Sequence, residues 1–346
     1  MEETVLDRRN PHPALSRWRG SSRGVGGLWR AVFGVERGSK LALGSFLERR
    51  VRYALGVILV GILVNPASAE VRVQQVEYKG WANCWKLSNG TVDLVVVPQI
   101  GRIMFFGFTG GSNVLFENLA LAGTVAGAEK RDWVNFGGDK LWPAPQSDWN
   151  WPPDPILDRG TLAVHPMPDG VTLHGKSSDG VVFERQIHMS PDTAQIRVLD
   201  RLDNVGRKAI DRSVWEICQV AKPDRALLPV SSATGWVNLT KLPDDASFVS
   251  PAGSGQVQIK RDVTKGHKYG SNSPDGWVAM EKGNLRLTLL TGVVPGAVYP
   301  DEGSIPEVYT AGDPEDNMEL ELLGPIRHLT PGQSTSIEVV WKLDRI

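Results

Sequence analysis

Four tryptophans, Trp133, Trp142, Trp149 and Trp151, fall within 19 positions, interleaved with Asn135, Asp139, Lys140, Gln146, Asp148 and Asn150. Flat aromatic platforms beside paired polar groups suit a ligand that presents apolar C–H faces and rings of hydroxyls, which is to say a sugar. The same tryptophans could instead pack a long loop onto a sheet, since each removes a large apolar area from water; Trp142, and with it Trp133, fits that use. Loops of this length are usually functional, so the segment Arg131–Asp154 is divided between site wall and structural loop.

Carboxylates form the second group. Glu319 and Glu321 alternate with Met318, Leu320 and Leu322, which puts both acids on one face of a strand. Two carboxylates on one face repel, which raises the pKa of one of them and suits general acid–base chemistry, although a wet outer face accounts for them equally well. In Trp215-Glu-Ile-Cys-Gln219 the alternation sets Trp215, Ile217 and Gln219 against Glu216 and Cys218. An unpaired carboxylate in so apolar a strand is expensive to bury, so Glu216 is expected to face solvent or to have a partner, the solvated face being favoured. Among the scattered histidines only His174 is kept, so that Glu319 or Glu321 is the candidate base and His174, Lys140 or Glu216 the candidate acid. Arg102, Asn135, Lys140, Gln219 and Tyr309 join the four tryptophans as candidate ligand-binding residues.

No cofactor is indicated. There is no nucleophile elbow, P-loop or dinucleotide fingerprint, and Gly101-Arg102 leads into no helix with phosphate-binding glycines. Asp313, Glu315 and Asp316 offer oxygens without the spacing of a calcium loop, and the two cysteines, Cys84 and Cys218, belong to no Cys/His cluster, so no metal is expected. Both cysteines sit in apolar runs, where an unpaired buried thiol is common, and spacing alone does not show that they meet.

These residues must be carried by strands. Thr91–Val97 follows an Asn89-Gly90 turn, a strong hairpin signal. Further β-type runs are Val181–Met189, Gln195–Leu202, Ser213–Val220, Leu285–Gly292, Met318–Leu323 and Thr335–Leu343, with Pro and Gly between them. Leu119–Glu129 is expected as a short helix. Many short strands over one long stretch predict an all-β chain, a large antiparallel sandwich spanning residues 70–346 as a single domain.

The preceding residues read differently. Arg49, Arg50 and Arg52 supply a basic n-region, Ala54–Val64 an apolar run and Ala67-Ser68-Ala69 a small-x-small cleavage site, the pattern of a signal peptide over residues 49–69. Eleven helical residues reach about 16 Å, against a hydrocarbon core of roughly 30 Å, which is too short to span. Residues 1–48 lack a sustained apolar period and are expected to be a disordered or mis-assigned extension. Cleavage after Ala69 predicts a periplasmic or secreted protein with 27 basic and 34 acidic residues, a net charge of −7. An acidic surface without a basic stripe argues against nucleic acid. Oligomeric state is not indicated.

Several of these motifs occur in a familiar order. Val97-Pro-Gln-Ile-Gly-Arg-Ile-Met-Phe105 resembles the early strand pair of galactose mutarotase-like proteins, the aldose 1-epimerases and their relatives. Glu319-Leu-Glu-Leu-Leu-Gly-Pro325, Leu329-Thr-Pro-Gly-Gln-Ser334 and Glu338-Val-Val-Trp341 resemble their last strands. With Phe136-Gly-Gly-Asp-Lys-Leu-Trp-Pro143 and Trp215-Glu-Ile-Cys-Gln219, residues 72–343 look most like the DUF4380 branch of that superfamily. The resemblance implies a β supersandwich with a sugar-binding concave face. In epimerases a histidine acts as acid and a late-strand glutamate as base. The late glutamate has counterparts in Glu319 and Glu321, whereas the strand that should carry the histidine is Trp215–Gln219 and has none. Three readings follow: an exported carbohydrate-binding protein, an epimerase or other carbohydrate-active enzyme, and a non-catalytic interaction scaffold.

Overall fold

The computed structural model describes residues 70–127, 132–232, 235–241, 248–253, 255–312 and 316–346. The extension and signal peptide expected before residue 70 lie outside the described residues, as do Glu129, Arg131, Asp313 and Glu315. The first strands are β1 (Arg72–Tyr78), β2 (Trp81–Ser88), β3 (Val92–Val97), β4 (Arg102–Phe108) and β5 (Asp139–Ala144). They are followed by β6 (Ala163–Met167), β7 (Gly170–His174), β8 (Val181–Met189), β9 (Gln195–Asn204), β10 (Ile210–Ala221) and β11 (Arg225–Pro229). Next come β12 (Trp236–Asn238), β13 (Val249–Pro251), β14 (Gln256–Ile259), β15 (His267–Ser271), β16 (Trp277–Lys282) and β17 (Leu285–Thr291). The last are β18 (Pro306–Thr310), β19 (Asn317–Leu323), β20 (Arg327–Leu329) and β21 (Ser334–Arg345).

All pairings are antiparallel, as the hairpin signals require. β1 to β4 form a meander. Seven strands form a second sheet in the order β12-β15-β18-β19-β10-β20, with β5 on the free side of β10, and ten form a third in the order β13-β14-β11-β16-β17-β21-β9-β8-β7-β6. The seven runs expected as strands are β3, β8, β9, β10, β17, β19 and β21, each within a few residues of its expected bounds. No helix among the described residues is long and apolar enough to cross a membrane.

Alternation decides what lies between the two large sheets. In β8 every second residue from Val181 to Met189 is buried. Ile187, Val198, Leu202, Leu287 and Trp341 of the ten-stranded sheet meet Val214, Cys218, Val308, Leu320 and Leu322 of the seven-stranded one in a single apolar cluster. Cys218 belongs to this cluster and Cys84 to another with Trp81, Val97 and Phe136, and both thiols are free.

Two local expectations are corrected. Among the described residues of the helix expected over Leu119–Glu129, there is a single 3-10 turn, Leu119–Leu121, capped by Asn118. It ends at Ala122, whose backbone leaves the helical region (φ −56°, ψ 133°), and Gly123 follows left-handed (φ 72°) against Gly80, where an added Cβ would stand 3.2 Å from the Gly80 Cα. The Trp-rich segment is not all loop either, since Asp139–Ala144 is a strand. Pro143 is tolerated there because β5 pairs only with β10 and so forms an edge. A short helix, α1 (Pro155–Arg159), closes the segment, with the Asp154 carboxylate accepting from the Ile156 and Leu157 N–H groups.

Candidate functional site

The seven-stranded sheet has one face in the core and one turned away from it. Residues directly opposite in antiparallel strands project to the same face, so the register shows which side chains meet. Three rows cross the outward face. Trp142 stands opposite Trp215, which stands opposite Leu323; Lys140 opposite Ile217, then Glu321 and Glu307; Gln219 opposite Glu319, then Tyr309 and Lys268.

Aromatic rings cover one end. Trp142 makes edge contacts with Trp215, Trp149 and Trp151 at centroid separations of 5.4, 5.7 and 5.9 Å, and Trp133 lies 5.6 Å from Trp151. Trp142 and Trp215 are fully buried. Their N–H groups are committed, Trp142 donating to Asp158 (2.9 Å), Trp215 to Glu321 (2.7 Å) and Trp149 to the Pro143 carbonyl (2.8 Å).

Two charged centres lie beside the rings. In the first, the Lys140 ammonium meets Glu319 Oε1 at 2.5 Å, and Gln219 donates to the same oxygen at 2.8 Å. Lys140 also stands 4.9 Å from the Trp142 ring and 5.5 Å from that of Trp133, a cation–π arrangement that offsets part of its desolvation. In the second, Lys268 meets Glu307 at 2.7 Å, Glu321 at 3.0 Å and Asp301 at 3.6 Å, and sits 4.1 Å from the Trp215 ring. Lys140, Lys268, Glu307, Glu319 and Glu321 are all at most 2% exposed. Burial pushes the Glu307 carboxyl well up, with Asp301 and Glu321 adding and Lys268 opposing. Burial also raises Glu321, with Glu319 adding and Lys268 and Lys140 opposing. Burial works against the Lys268 ammonium, but Glu307, Glu321 and Asp301 outweigh it and hold its pKa above the ordinary value.

Some buried polar atoms here have no hydrogen-bond partner: Trp133 Nε1, Asn135 Nδ2, Gln219 Oε1, Glu321 Oε1 and both amide atoms of Asn317. Gln219, Asn317 and Glu321 share the outward face, and Trp133 and Asn135 lie in the segment leading into β5. A buried polar atom without a partner typically costs about 1–3 kcal/mol, so these atoms are open to further hydrogen bonds.

The sequence candidates divide accordingly. Lys140, Trp142, Gln219, Tyr309, Glu319 and Glu321 share the outward face, and Trp133, Trp149 and Trp151 pack with its aromatic end. Arg102 is fully buried, donating to the Gly137 carbonyl and to the Asp158 oxygen that accepts from Trp142; it holds the aromatic end in place.

Two candidates are corrected. Glu216 does not face solvent, because the alternation that turns Trp215 and Gln219 outward turns it between the sheets. There it is fully buried and accepts from the Trp341 indole at 2.7 Å. His174 is on β7 of the other large sheet, where Val171 and Leu173 take the core side. Its side chain is 43% exposed and lies 3.2 Å from Glu184 on the outer surface.

Sequence reading missed Lys268, Asp301 and Glu307. Their strands, β15 and β18, are short and begin beside Gly or Pro, so they carry little periodic signal. Glu307 did leave a trace: a lone acid between Ile305 and Val308 is a charge in an apolar run that must have a partner.

A family model described as "Domain of unknown function (DUF4380)" matches residues 83–344. The chain belongs to the DUF4380 family. No curated protein matches the sequence. Among solved structures, this DUF4380 chain is similar to a TPR-domain containing protein from Parabacteroides distasonis, at 15% identity and a TM-score of 0.55, over 75% of this chain and 46% of that one. It is similar to a galactose mutarotase related enzyme from Lactobacillus acidophilus, at 10% identity and a TM-score of 0.52, over 75% and 97% of the two chains. It is also similar to a galactose mutarotase-like protein from Clostridium acetobutylicum, at 9% identity and a TM-score of 0.51, over 80% and 99%. At such identities the likeness is one of fold, and the fold of this DUF4380 chain is galactose mutarotase-like.

Proposed function

We propose that this protein is an exported carbohydrate-binding protein whose ligand lies on the outward face of the seven-stranded sheet, against the tryptophan cluster. One observation carries the reading: buried hydrogen-bonding atoms of Trp133, Gln219 and Glu321 stand without protein partners on the face that carries five packed indoles. Sugar hydroxyls both donate and accept, which suits a mixture of orphan N–H groups and oxygens, and sugar C–H faces suit the rings. Export rests on the basic, apolar and small-residue pattern of Arg49–Ala69.

Charge narrows the ligand. Arg102 and Arg159 lie within ion-pair distance of Asp158, Lys140 of Glu319, and Lys268 of Glu307, Glu321 and Asp301. Each of these four cations thus has a carboxylate already, and the acids outnumber them. An uncharged sugar is favoured over a uronate or a sugar phosphate. Screening the protein against an array of neutral, uronic and phosphorylated glycans tests this: neutral glycans should bind and the anionic set should not. Silence across the neutral set, or selective capture of anionic glycans, would overturn it.

A second reading, turnover at a sugar hemiacetal, is favoured by one feature. The carboxylate of Glu319, held by Lys140, stands two residues from Glu321, whose carboxyl is pushed upward chiefly by burial. Two carboxyl groups on one strand face suit general acid–base chemistry.

A further inference from the structure

The Lys268 centre has a composition that salt bridging alone does not explain. Three carboxylates, Asp301, Glu307 and Glu321, surround one ammonium, and the four groups are at most 4% exposed. Three buried negative charges cannot all persist against a single positive one, so protons must make up the difference. Glu307 and Glu321 face each other directly across β18 and β19. Glu321 uses Oε2 for Lys268 and the Trp215 N–H and leaves Oε1 unpartnered. Asp301 reaches the centre from a strained turn, in which Asp301 and Glu302 are left-handed (φ 49° and 60°) and Gly303 follows at φ 88°. Left-handed non-glycine residues in succession are kept only where the surroundings demand them, often at functional sites.

We propose that Glu307 and Glu321 hold one proton between them and donate it to the bound ligand, supplying the acid for which β10 offers no histidine. The groups that set its retention are Lys268 on β15, Asp301, Glu319 on β19 and Lys140 on β5. At a hemiacetal the proton passes to the ring oxygen as that oxygen leaves carbon with the bonding electrons. Glu319 takes the hydroxyl proton from the same carbon, which becomes a carbonyl, and ring closure returns both protons. The net charge of the face is unchanged throughout. The destination of the proton rests on the reading of turnover at a sugar hemiacetal; its presence does not.

Infrared spectroscopy of the ligand-free protein at neutral pH reads the proton directly. The wild type should show a protonated-carboxyl C=O band that is lost in Glu307→Gln and equally in Glu321→Gln, because either substitution leaves two carboxylates beside Lys268, the net charge that the wild-type centre reaches only by holding a proton. Taking the difference between wild type and variant removes the separate contribution of Glu216, and a melting curve for each variant confirms that it is folded. A wild-type spectrum without that band, or a band that survives in both folded variants, would overturn the proposal. If the band behaves as expected while no glycan binds, the proton pair stands and the carbohydrate reading alone falls.

Discussion

The seven-stranded sheet carries buried acids on both of its faces, Glu216 of β10 toward the core and Glu319 and Glu321 of β19 away from it, and the two sets have different surroundings. Toward the core, Arg185 of β8 bridges Asp139 of β5 and Asp200 of β9, its Nε lying 2.7 Å from Asp200 Oδ1, while Glu216 accepts from Trp341 nearby. This set crosses from one large sheet to the other and is enclosed by the main apolar cluster. On the outward face, Lys140 and Lys268 hold glutamates of the same sheet beside indoles and beside the unpartnered Gln219 amide oxygen. The inward set joins the two large sheets, whereas the outward set lies within one sheet against the indoles. Sequence pattern alone separates them poorly, because both are acids and bases in apolar strands and only the parity of the position differs.

The largest effect should come from breaking the inward set. Arg185→Met leaves Asp139 and Asp200 buried without their cation and should cost about 3–5 kcal/mol of stability, measured by denaturant unfolding. A loss below about 1 kcal/mol would mean that the bridge does not join the sheets.

Next comes pH. Burial pushes the Asp200 carboxyl up to about 6, with Asp139 adding and Arg185 opposing, and drives Glu216 well upward with Asp200 and Asp139 adding. A raised folded-state pKa means that the folded protein keeps a proton the unfolded chain has lost. Stability from these groups is therefore complete below the ordinary carboxylate range. It falls as pH rises, through the window between about 4 and 6 for Asp200 and further for Glu216, by up to about 1.4 kcal/mol per pH unit per group. Glu216→Gln, which carries no charge to bury, should flatten the decline above pH 5. An unchanged slope would show that Glu216 is not held neutral.

The outward set should answer differently. Glu319→Gln weakens the Lys140 contact and should lower glycan affinity by tenfold or more, since charge-assisted hydrogen bonds are worth about 1.5–3 kcal/mol. Full affinity in this variant would place the ligand elsewhere. The smallest change is the sharpest: Trp133→Phe removes an indole N–H that has no protein partner while keeping an aromatic face. Stability should stay within about 0.5 kcal/mol, because no internal bond is lost, while affinity falls by about 3–10-fold.

Legibility followed strand length. Long strands with clean alternation, such as Val181–Met189 and Ser334–Arg345, were readable, and so was the pairing of Glu319 with Glu321 on one face. Short strands such as β15 and β18 hid Lys268 and Glu307, and the edge position of β5 hid a strand inside a Pro-rich segment. Glu216 was assigned to the proper parity, opposite Trp215, but to the wrong environment. Burial on the core side is decided by the second sheet packing over it, and Asp139, Arg185 and Asp200, which share its surroundings, are distant in sequence.

The central claim is that the outward face takes a sugar through groups left unsatisfied by the fold, and the indole N–H of Trp133 reports on it most directly. In nitrogen-15 correlation spectra, titrating a neutral glycan should shift the Trp133 indole resonance more than any other. The Trp341 resonance, whose N–H is bonded to Glu216 between the sheets, should stay in place. A Trp133 signal unmoved by every neutral glycan that binds the protein would contradict the account.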